Sequence, residues 1–130
     1  MKYVILIHSN PQPWGHPTDQ LTEEGRAQSQ EFHDASGRAF DALMEEINAS
    51  GEFVTAMALA DPASSTLYGW SPEQTLRTDG PFAESKEQLA GFYLLDCDSM
   101  DRAVEIVAQI PEAPFSVVEV RPVRDLGAFM

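Results

Sequence analysis

The sequence predicts a single α+β domain, and three observations support that prediction. Apolar runs typical of β-strands occur at residues 2–8, 52–60, 89–97 and 115–123. Two amphipathic segments with helical spacing lie between strands, one after the first strand and one before the last. At 130 residues the chain is long enough for one hydrophobic core, so residues 1–130 are expected to form one domain.

The first strand and the first helix are marked by clear boundary residues. The strand at residues 2–8 is almost continuously apolar, which indicates that both of its faces are covered. After a proline-rich loop, Thr22 is the predicted helix N-cap, because Glu23 and Glu24 then lie where the helix dipole favours acids. Gly51 is the predicted C-terminal stop. The apolar stripe of this helix is Phe32, Ala35, Ala39, Phe40, Leu43, Met44 and Ile47.

The second half of the chain completes a familiar order of elements. Two short strands are predicted between residues 63 and 78, with a turn at Ser71-Pro72. Asp98 or Ser99 is the expected N-cap of the second helix, and Pro111 is its expected end. The resulting order, β-α-β-β-β-α-β with the middle strands as a meander, is that of a ferredoxin-like split β-α-β sheet with both helices on one face.

Helices on one face leave the other face of the sheet without cover. Val4, Leu6, Tyr93 and Leu95 are predicted to lie on that face or near it, and such a surface is too apolar to face water. Pairing with a second copy would cover it. The sequence therefore predicts a homodimer whose two sheets face each other.

Charge and cysteine content exclude some partners. The chain has 21 acidic residues against 8 Lys and Arg, a formal net charge of −13. Nucleic acids and anionic membranes attract basic surfaces, so neither is an expected partner. No apolar run approaches the roughly 20 residues that cross a bilayer. The single cysteine, Cys97, cannot form an internal disulfide, which favours a reducing cytoplasm.

Residues 78–87, TDGPFAESKE, form a long and unusual motif. Together with residues 1–8 (MKYVILIH), 90–93 (AGFY) and 118–122 (VEVRP), it resembles the DGPF branch of the YCII-related family over essentially the whole chain. The resemblance implies a ferredoxin-like domain that forms a dimeric α+β barrel, in small bacterial proteins that mostly lack an established activity. The wider fold group includes isomerases and dehalogenating enzymes, which implies by analogy a small organic substrate.

Asp79 and His8 are the predicted acid–base pair. Asp79 precedes Gly80-Pro81, where the proline forces a sharp turn. An Asp in this position commonly accepts backbone hydrogen bonds within the turn, which is the structural alternative. In the functional hypothesis Asp79 is a general base or a ligand acceptor, and His8 at the end of the first strand is its partner. His8 is also explicable as a packing residue.

The predicted ligand-binding residues are Glu84, Lys86 and Tyr93. Glu84 and Lys86 are either a solvated hairpin tip or, in the functional hypothesis, groups that place a cation beside the pocket to hold an anionic substrate or an enolate. His16 and His33 are weaker candidates, since one lies in the proline-rich loop and the other on a helix face. No Cys, His and Asp cluster has metal-ligand spacing, so neither a metal nor another cofactor is expected.

Two classes of function therefore stay open. The first is a small dimeric protein that binds an organic ligand in the sheet cleft, with isomerase, lyase or dehalogenase-like acid–base chemistry. The second is a non-catalytic sensing or interaction module linked to sigma-factor signalling. An enzyme requires titratable side chains that converge on a pocket, whereas a module does not.

Overall fold

The computed structural model describes residues 1–70, 75–79 and 87–129, with residues 70, 75–79, 128 and 129 described by their backbone alone. The predicted turns at Ser71-Pro72 and Gly80-Pro81 lie outside this range. The strands are β1 Lys2–Ser9, β2 Phe53–Ala58, β3 Thr66–Trp70, β4 Thr75–Asp79, β5 Gln88–Asp96 and β6 Val117–Pro122. The helices are α1 Glu23–Arg26, α2 Gln30–Ser50 and α3 Met100–Val107.

Four strands form an antiparallel sheet in the order β2-β5-β1-β6, and β3 pairs with β4 in a separate two-stranded sheet. This order and its two connecting helices confirm the ferredoxin-like α+β fold. The predicted meander is wrong, because β2 pairs directly with β5 and the β3–β4 hairpin is inserted between them. β3 buries little side-chain surface, since Thr66 and Tyr68 are both exposed to solvent.

The hydrophobic core lies between the sheet and the helices. Tyr3, Ile5 and Ile7 of β1 point into it, each almost fully buried. Their neighbours in the core come from α2, α3, β5 and the turns that follow β5 and α3: Leu43, Ile47, Leu95, Cys97, Ala103, Ile106, Val107 and Ile110. Burial of these side chains is the main source of stability that links the helices to the sheet.

The faces of β5 are the reverse of the prediction. Tyr93 and Leu95 lie on the helix face, because Ile5 stands opposite Tyr93 and Tyr3 opposite Leu95. Directly opposed residues of an antiparallel pair share a face of the sheet. The bare face carries instead the alternate residues Val4, Leu6, Phe92 and Leu94, all of them half-buried.

The predicted helix boundaries are mostly confirmed. Thr22 and Ser99 are N-caps, and each side-chain oxygen accepts the backbone N–H three residues on, at 3.0 Å and 3.2 Å. The first predicted helix is divided, since Ser29 supplies a second cap that starts α2. Gly51 ends α2 with a φ of 83°. No described helix is both long enough and apolar enough to span a bilayer.

One ion-pair network joins α3 to the junction of α2 and β2. Arg102 donates from Nε to Glu52 Oε2 at 2.7 Å and from Nη2 to Glu52 Oε1 at 2.9 Å. The same Nη2 donates to Glu46 Oε1 at 3.3 Å. These two-pronged hydrogen bonds from Arg102 lower the pKa of Glu52 from 4.5 to about 2. The pair therefore favours the ionised form of Glu52 in the folded protein.

We expect Glu52→Gln to lower the free energy of unfolding at pH 7 by about 1 kcal/mol, since it removes a charge-assisted pair. The folded-state pKa of Glu52 is depressed, so its contribution is complete above the unfolded value of 4.5 and is lost as the pH falls toward 2. Urea unfolding of both proteins at pH 7 and pH 2.5 measures the effect. Glu45→Gln, at an exposed position of α2, is the control. An equal gap at both pH values would contradict the assignment.

Candidate functional site

An open cavity of about 190 Å³ lies on the helix side of the sheet, where β1, β2 and β5 meet the loop of residues 10–22. Its apolar wall includes Ile7, Ala58, Ala90 and Gly91. Four polar side chains complete the lining: His16, Thr18, Tyr93 and Glu112. A dry cavity of about 150 Å³ is known to hold benzene, so this one has room for a molecule of one-ring size.

The loop of residues 10–22 is fixed over the cavity by hydrogen bonds from both directions. Arg26 Nη1 donates to two loop carbonyl oxygens, each at 2.6 Å. Trp14 Nε1 donates to the Leu59 carbonyl oxygen at 3.0 Å, and His16 Nε2 lies 2.8 Å from the same oxygen. The loop therefore spans from α1 to the end of β2 and holds its polar side chains against the sheet.

Tyr93 and Glu112 form the first titratable pair of the site. Tyr93 Oη donates to Glu112 Oε1 at 3.3 Å, and its ring meets Phe40 edge-on at 6.5 Å. Burial raises the pKa of the Glu112 carboxyl, and burial together with the Glu112 charge raises the pKa of the Tyr93 phenol. The phenol thus keeps its proton at neutral pH, while the carboxyl exchanges a proton closer to neutrality than an exposed Glu does.

Asp19 and His33 form a second pair behind the cavity wall. His33 Nε2 lies 2.7 Å from the Gly25 carbonyl oxygen, so Nε2 must carry a proton and donate it. His33 Nδ1 lies 3.9 Å from Asp19 Oδ2, and Asp19 is 3% exposed. Burial raises the pKa of Asp19, against a smaller lowering by a backbone hydrogen bond and by His33. At this distance the facing nitrogen and oxygen do not make a direct hydrogen bond.

Buried polar atoms without partners concentrate at this end of the sheet. Within the described residues they are Ser9 Oγ, Thr18 Oγ1, Asp19 Oδ1, His33 Nδ1 and Ser116 Oγ. The β1–β6 register ends with His8 opposite Val117, so Ser9 and Ser116 lie directly beyond this pair, one on each strand. An unpaired buried polar group costs about 1–3 kcal/mol, so unpartnered atoms of this kind are rare in folded proteins.

Of the predicted ligand-binding residues, Tyr93 lines the cavity. Glu84 and Lys86 lie outside the residues that the structure describes. The role of Tyr93 as a ligand contact stays a prediction, although its position on the helix face was not foreseen.

Of the predicted acid–base pair, His8 has a described side chain and Asp79 does not. His8 is on the bare face of the sheet, with Nε2 3.7 Å from Glu119 Oε1, and so faces away from Tyr93. Asp79 ends β4, with its backbone opposite Thr66, and its side chain is outside the described set. The pairing of Asp79 with His8 therefore stays a prediction.

Sequence reasoning missed Thr18, Asp19 and Glu112 and ranked His33 low. Thr18 and Asp19 lie in the proline-rich loop, His33 lies in α2 and Glu112 lies in the turn after α3, so no regular spacing along the chain marks them as one site. The available signal was the proline-rich loop directly after the first strand, because loops at strand ends commonly carry functional side chains.

Fold and site together define a ferredoxin-like α+β protein with an acidic, partly apolar cavity under a proline-rich loop. The YCII-related domain matches residues 1–127, and the chain belongs to that family, as predicted. An uncharacterized protein of Rhizobium meliloti (strain 1021) is 35% identical over 98 residues, which cover 74% of this chain and 79% of that protein.

A comparison with solved structures finds a 5-chloro-2-hydroxyhydroquinone dehydrochlorinase from Burkholderia phenoliruptrix AC1100, in complex with 2,5-dihydroxybenzoquinone. The two chains share 14% identity with a TM-score of 0.47, over 95% of this chain and 94% of that one.

Proposed function

We propose that this protein binds a small organic molecule in the cavity beside Tyr93 and Glu112 and moves a proton to or from it. The supporting observation is a ring-sized cavity whose polar wall contains a half-buried carboxyl group held close to a protonated phenol. Such a pair suits an acid–base step, as in an isomerase, a lyase or a dehalogenase-like elimination.

Each polar residue has a distinct role in the proposal. Glu112 exchanges the proton, because it lines the cavity and burial brings its pKa toward neutral pH. Tyr93 fixes the carboxyl by its hydrogen bond, and Thr18, whose buried Oγ1 has no partner among the described residues, lines the same wall. Asp19 and His33 lie behind the wall, 3.9 Å apart, and the charge of Asp19 acts on Glu112. The Asp79 and His8 pair is a separate proposal for the opposite face.

A fragment screen by ligand-observed NMR tests the binding step. We expect neutral one-ring compounds to bind, and Tyr93→Phe to weaken the best of them about fivefold, since it removes one hydrogen bond from the site. Tyr68→Phe, at a ring 70% exposed on β3, is the matched control. Equal losses in both variants, or no fragment binding at all, would contradict the proposed site.

Proton transfer is tested separately on fragments that bind. Incubation in D₂O should place deuterium at an acidic carbon of the ligand, and Glu112→Gln should abolish that exchange. Binding without exchange, for every carbon acid tried, would support a sensing module in place of an enzyme.

We further propose that the protein is a homodimer joined through the bare face of the sheet. That face combines half-buried Leu6 and Phe92 with Met57 and Val117, which are 58% and 57% exposed. Glu119 pairs with Arg121 on the same face, so both signs of charge are present and two copies can meet without net repulsion. A continuous apolar surface of this kind is typical of a subunit interface.

Met57→Glu is expected to raise the dimer dissociation constant at least tenfold, because it places a charge inside the proposed interface. Analytical ultracentrifugation across a dilution series measures the constant. Val104→Glu adds the same charge on the outer surface of α3, where the side chain is also exposed, and should leave the constant unchanged. A wild-type protein that sediments as a monomer at every concentration contradicts the proposal.

A further inference from the structure

The cavity contains acidic groups, and His16 is the basic side chain among the described residues of its lining. Glu112 lines it, and the charge of Asp19 acts on Glu112 from behind the wall. No Lys or Arg of the described residues belongs to the lining. Three described arginines have partners elsewhere, as Arg26 binds loop carbonyls, Arg102 binds Glu52 and Arg121 binds Glu119. Among the described residues of the lining, a negative charge in this wall is therefore opposed by His16 and by no Lys or Arg.

The unused hydrogen-bonding capacity of the wall is mainly that of acceptors. Thr18 lines the cavity, is 2% exposed, and its Oγ1 has no partner among the described residues. Glu112 receives a backbone hydrogen bond and the long bond from Tyr93, at 3.3 Å to one oxygen and 3.5 Å to the other. Because the one hydroxyl proton of Tyr93 is donated to Glu112, the wall favours a ligand with several hydrogen-bond donors.

A protonated amine supplies the positive charge and the hydrogen-bond donors that no described Lys or Arg provides in this wall. Its ammonium group carries three donors and one positive charge, whereas a carboxylate or phosphate would add negative charge beside two acids. A hydrocarbon body of about one-ring size would lie against Ile7, Ala58 and Gly91.

We infer that the ligand of this cavity is a small organic amine, bound as a cation with its ammonium group between Glu112 and Thr18 and its hydrocarbon part against the apolar wall. This inference rests on the proposed function, since it names the ligand class of the same site. It opposes the expectation, based on Lys86, of an anionic substrate.

Three ligands of nearly one shape and different charge test the inference: benzylamine, benzyl alcohol and benzoate. Their affinities are measured at pH 7 by ¹H–¹⁵N chemical-shift titration of the full chain. We expect benzylamine to bind at least tenfold more tightly than benzyl alcohol, and benzoate to bind most weakly. The shifted amides should include those of Thr18 and Tyr93.

Two variants test whether Glu112 causes the preference for the ammonium group. Glu112→Gln should reduce the benzylamine affinity about tenfold, to the level of the alcohol, while Glu105→Gln on the exposed side of α3 should leave it unchanged. Benzyl alcohol or benzoate binding as tightly as benzylamine overturns the inference. Benzoate binding that Lys86→Ala abolishes overturns it in favour of an anion site.

The outcomes also separate this inference from the proposed function. If neutral fragments shift the Tyr93 amide and benzylamine does not, the ligand class is wrong and the binding site stands. If no compound of any charge shifts these amides, both the ligand class and the proposed function are wrong.

Discussion

Gly25→Ala is expected to lower the free energy of unfolding by about 3 kcal/mol and to abolish ligand binding at the cavity. A Cβ atom at this position would lie 1.5 Å from the Asp19 backbone oxygen and 2.9 Å from Thr22 Oγ1. The first contact is with backbone, so no rotamer change relieves it, and the loop that carries Thr18 and Asp19 must move away from α1.

The loss should therefore extend from stability to the site. The Gly25 carbonyl oxygen also accepts the hydrogen bond from His33 Nε2, so displacement of this turn disturbs the Asp19–His33 pair as well. Urea denaturation measures the free energy, and fragment titration of the folded fraction measures the binding. A variant with unchanged urea midpoint would show that the turn and the loop are not packed as described.

Gly37→Ala is the matched control for this substitution. Gly37 lies inside α2, and nothing is within 4 Å of the position that its Cβ would take. Alanine is the better helix former by about 1 kcal/mol, so this variant should be more stable than the wild type. The same chemical change is thus expected to act in opposite directions at two positions only twelve residues apart.

The fold was predictable because local signals agreed with the global arrangement. Strand periodicity located β1, β2, β5 and β6, and the caps at Thr22, Ser99 and Gly51 bounded the helices. The two faces of β5 were not predictable, since an unbroken apolar run fits either orientation. Pairing with β1 decides the matter, and that register includes an irregularity between Ile7 and His8 that no sequence pattern marks.

The candidate site was much less predictable than the fold. Motif reasoning pointed to residues 78–87, which form a conspicuous contiguous signal, whereas the described cavity is assembled from Thr18, Tyr93 and Glu112. The antiparallel sheet, the loop of residues 10–22 and the turn after α3 together bring those positions close. From the sequence alone, a single histidine such as His33 on a helix face is interpreted as a packing residue. Only the fold shows that buried Asp19 lies 3.9 Å from it. Sites assembled across such sequence distances leave no spacing to detect.

Asp19→Asn is expected to raise the free energy of unfolding at pH 7 by about 2 kcal/mol, which for a domain of this size is roughly 6 °C in melting temperature. Burial raises the pKa of Asp19 above its ordinary value of 3.8. The folded protein therefore retains a proton that the unfolded chain has lost, and stability falls as the pH rises through the raised pKa. Asparagine has the same shape and no charge, so it avoids this loss.

The stability difference between Asp19→Asn and wild type is expected to depend on pH. Below about pH 3.8 Asp19 is protonated in both states, so wild type and variant should unfold alike, and the gap should open as the pH rises. Glu52→Gln should behave in the opposite way, because the pKa of Glu52 is lowered by Arg102. Asp41→Asn, at an exposed position of α2, controls for the loss of one charge from an acidic protein. A variant less stable than wild type at pH 7 would mean that Asp19 is already fully paired in the fold.

Stability and binding measured on this one variant separate a structural acid from a functional one. A carboxylate that lowers the free energy of unfolding at neutral pH is typical of functional sites, because the rest of the fold offsets the destabilisation. If Asp19→Asn is more stable and also binds benzylamine less tightly, the charge of Asp19 contributes to the potential that attracts the ligand. If it is more stable and binds benzylamine unchanged, the field at the cavity comes from Glu112 alone, and Asp19 serves to orient His33 and the loop above it.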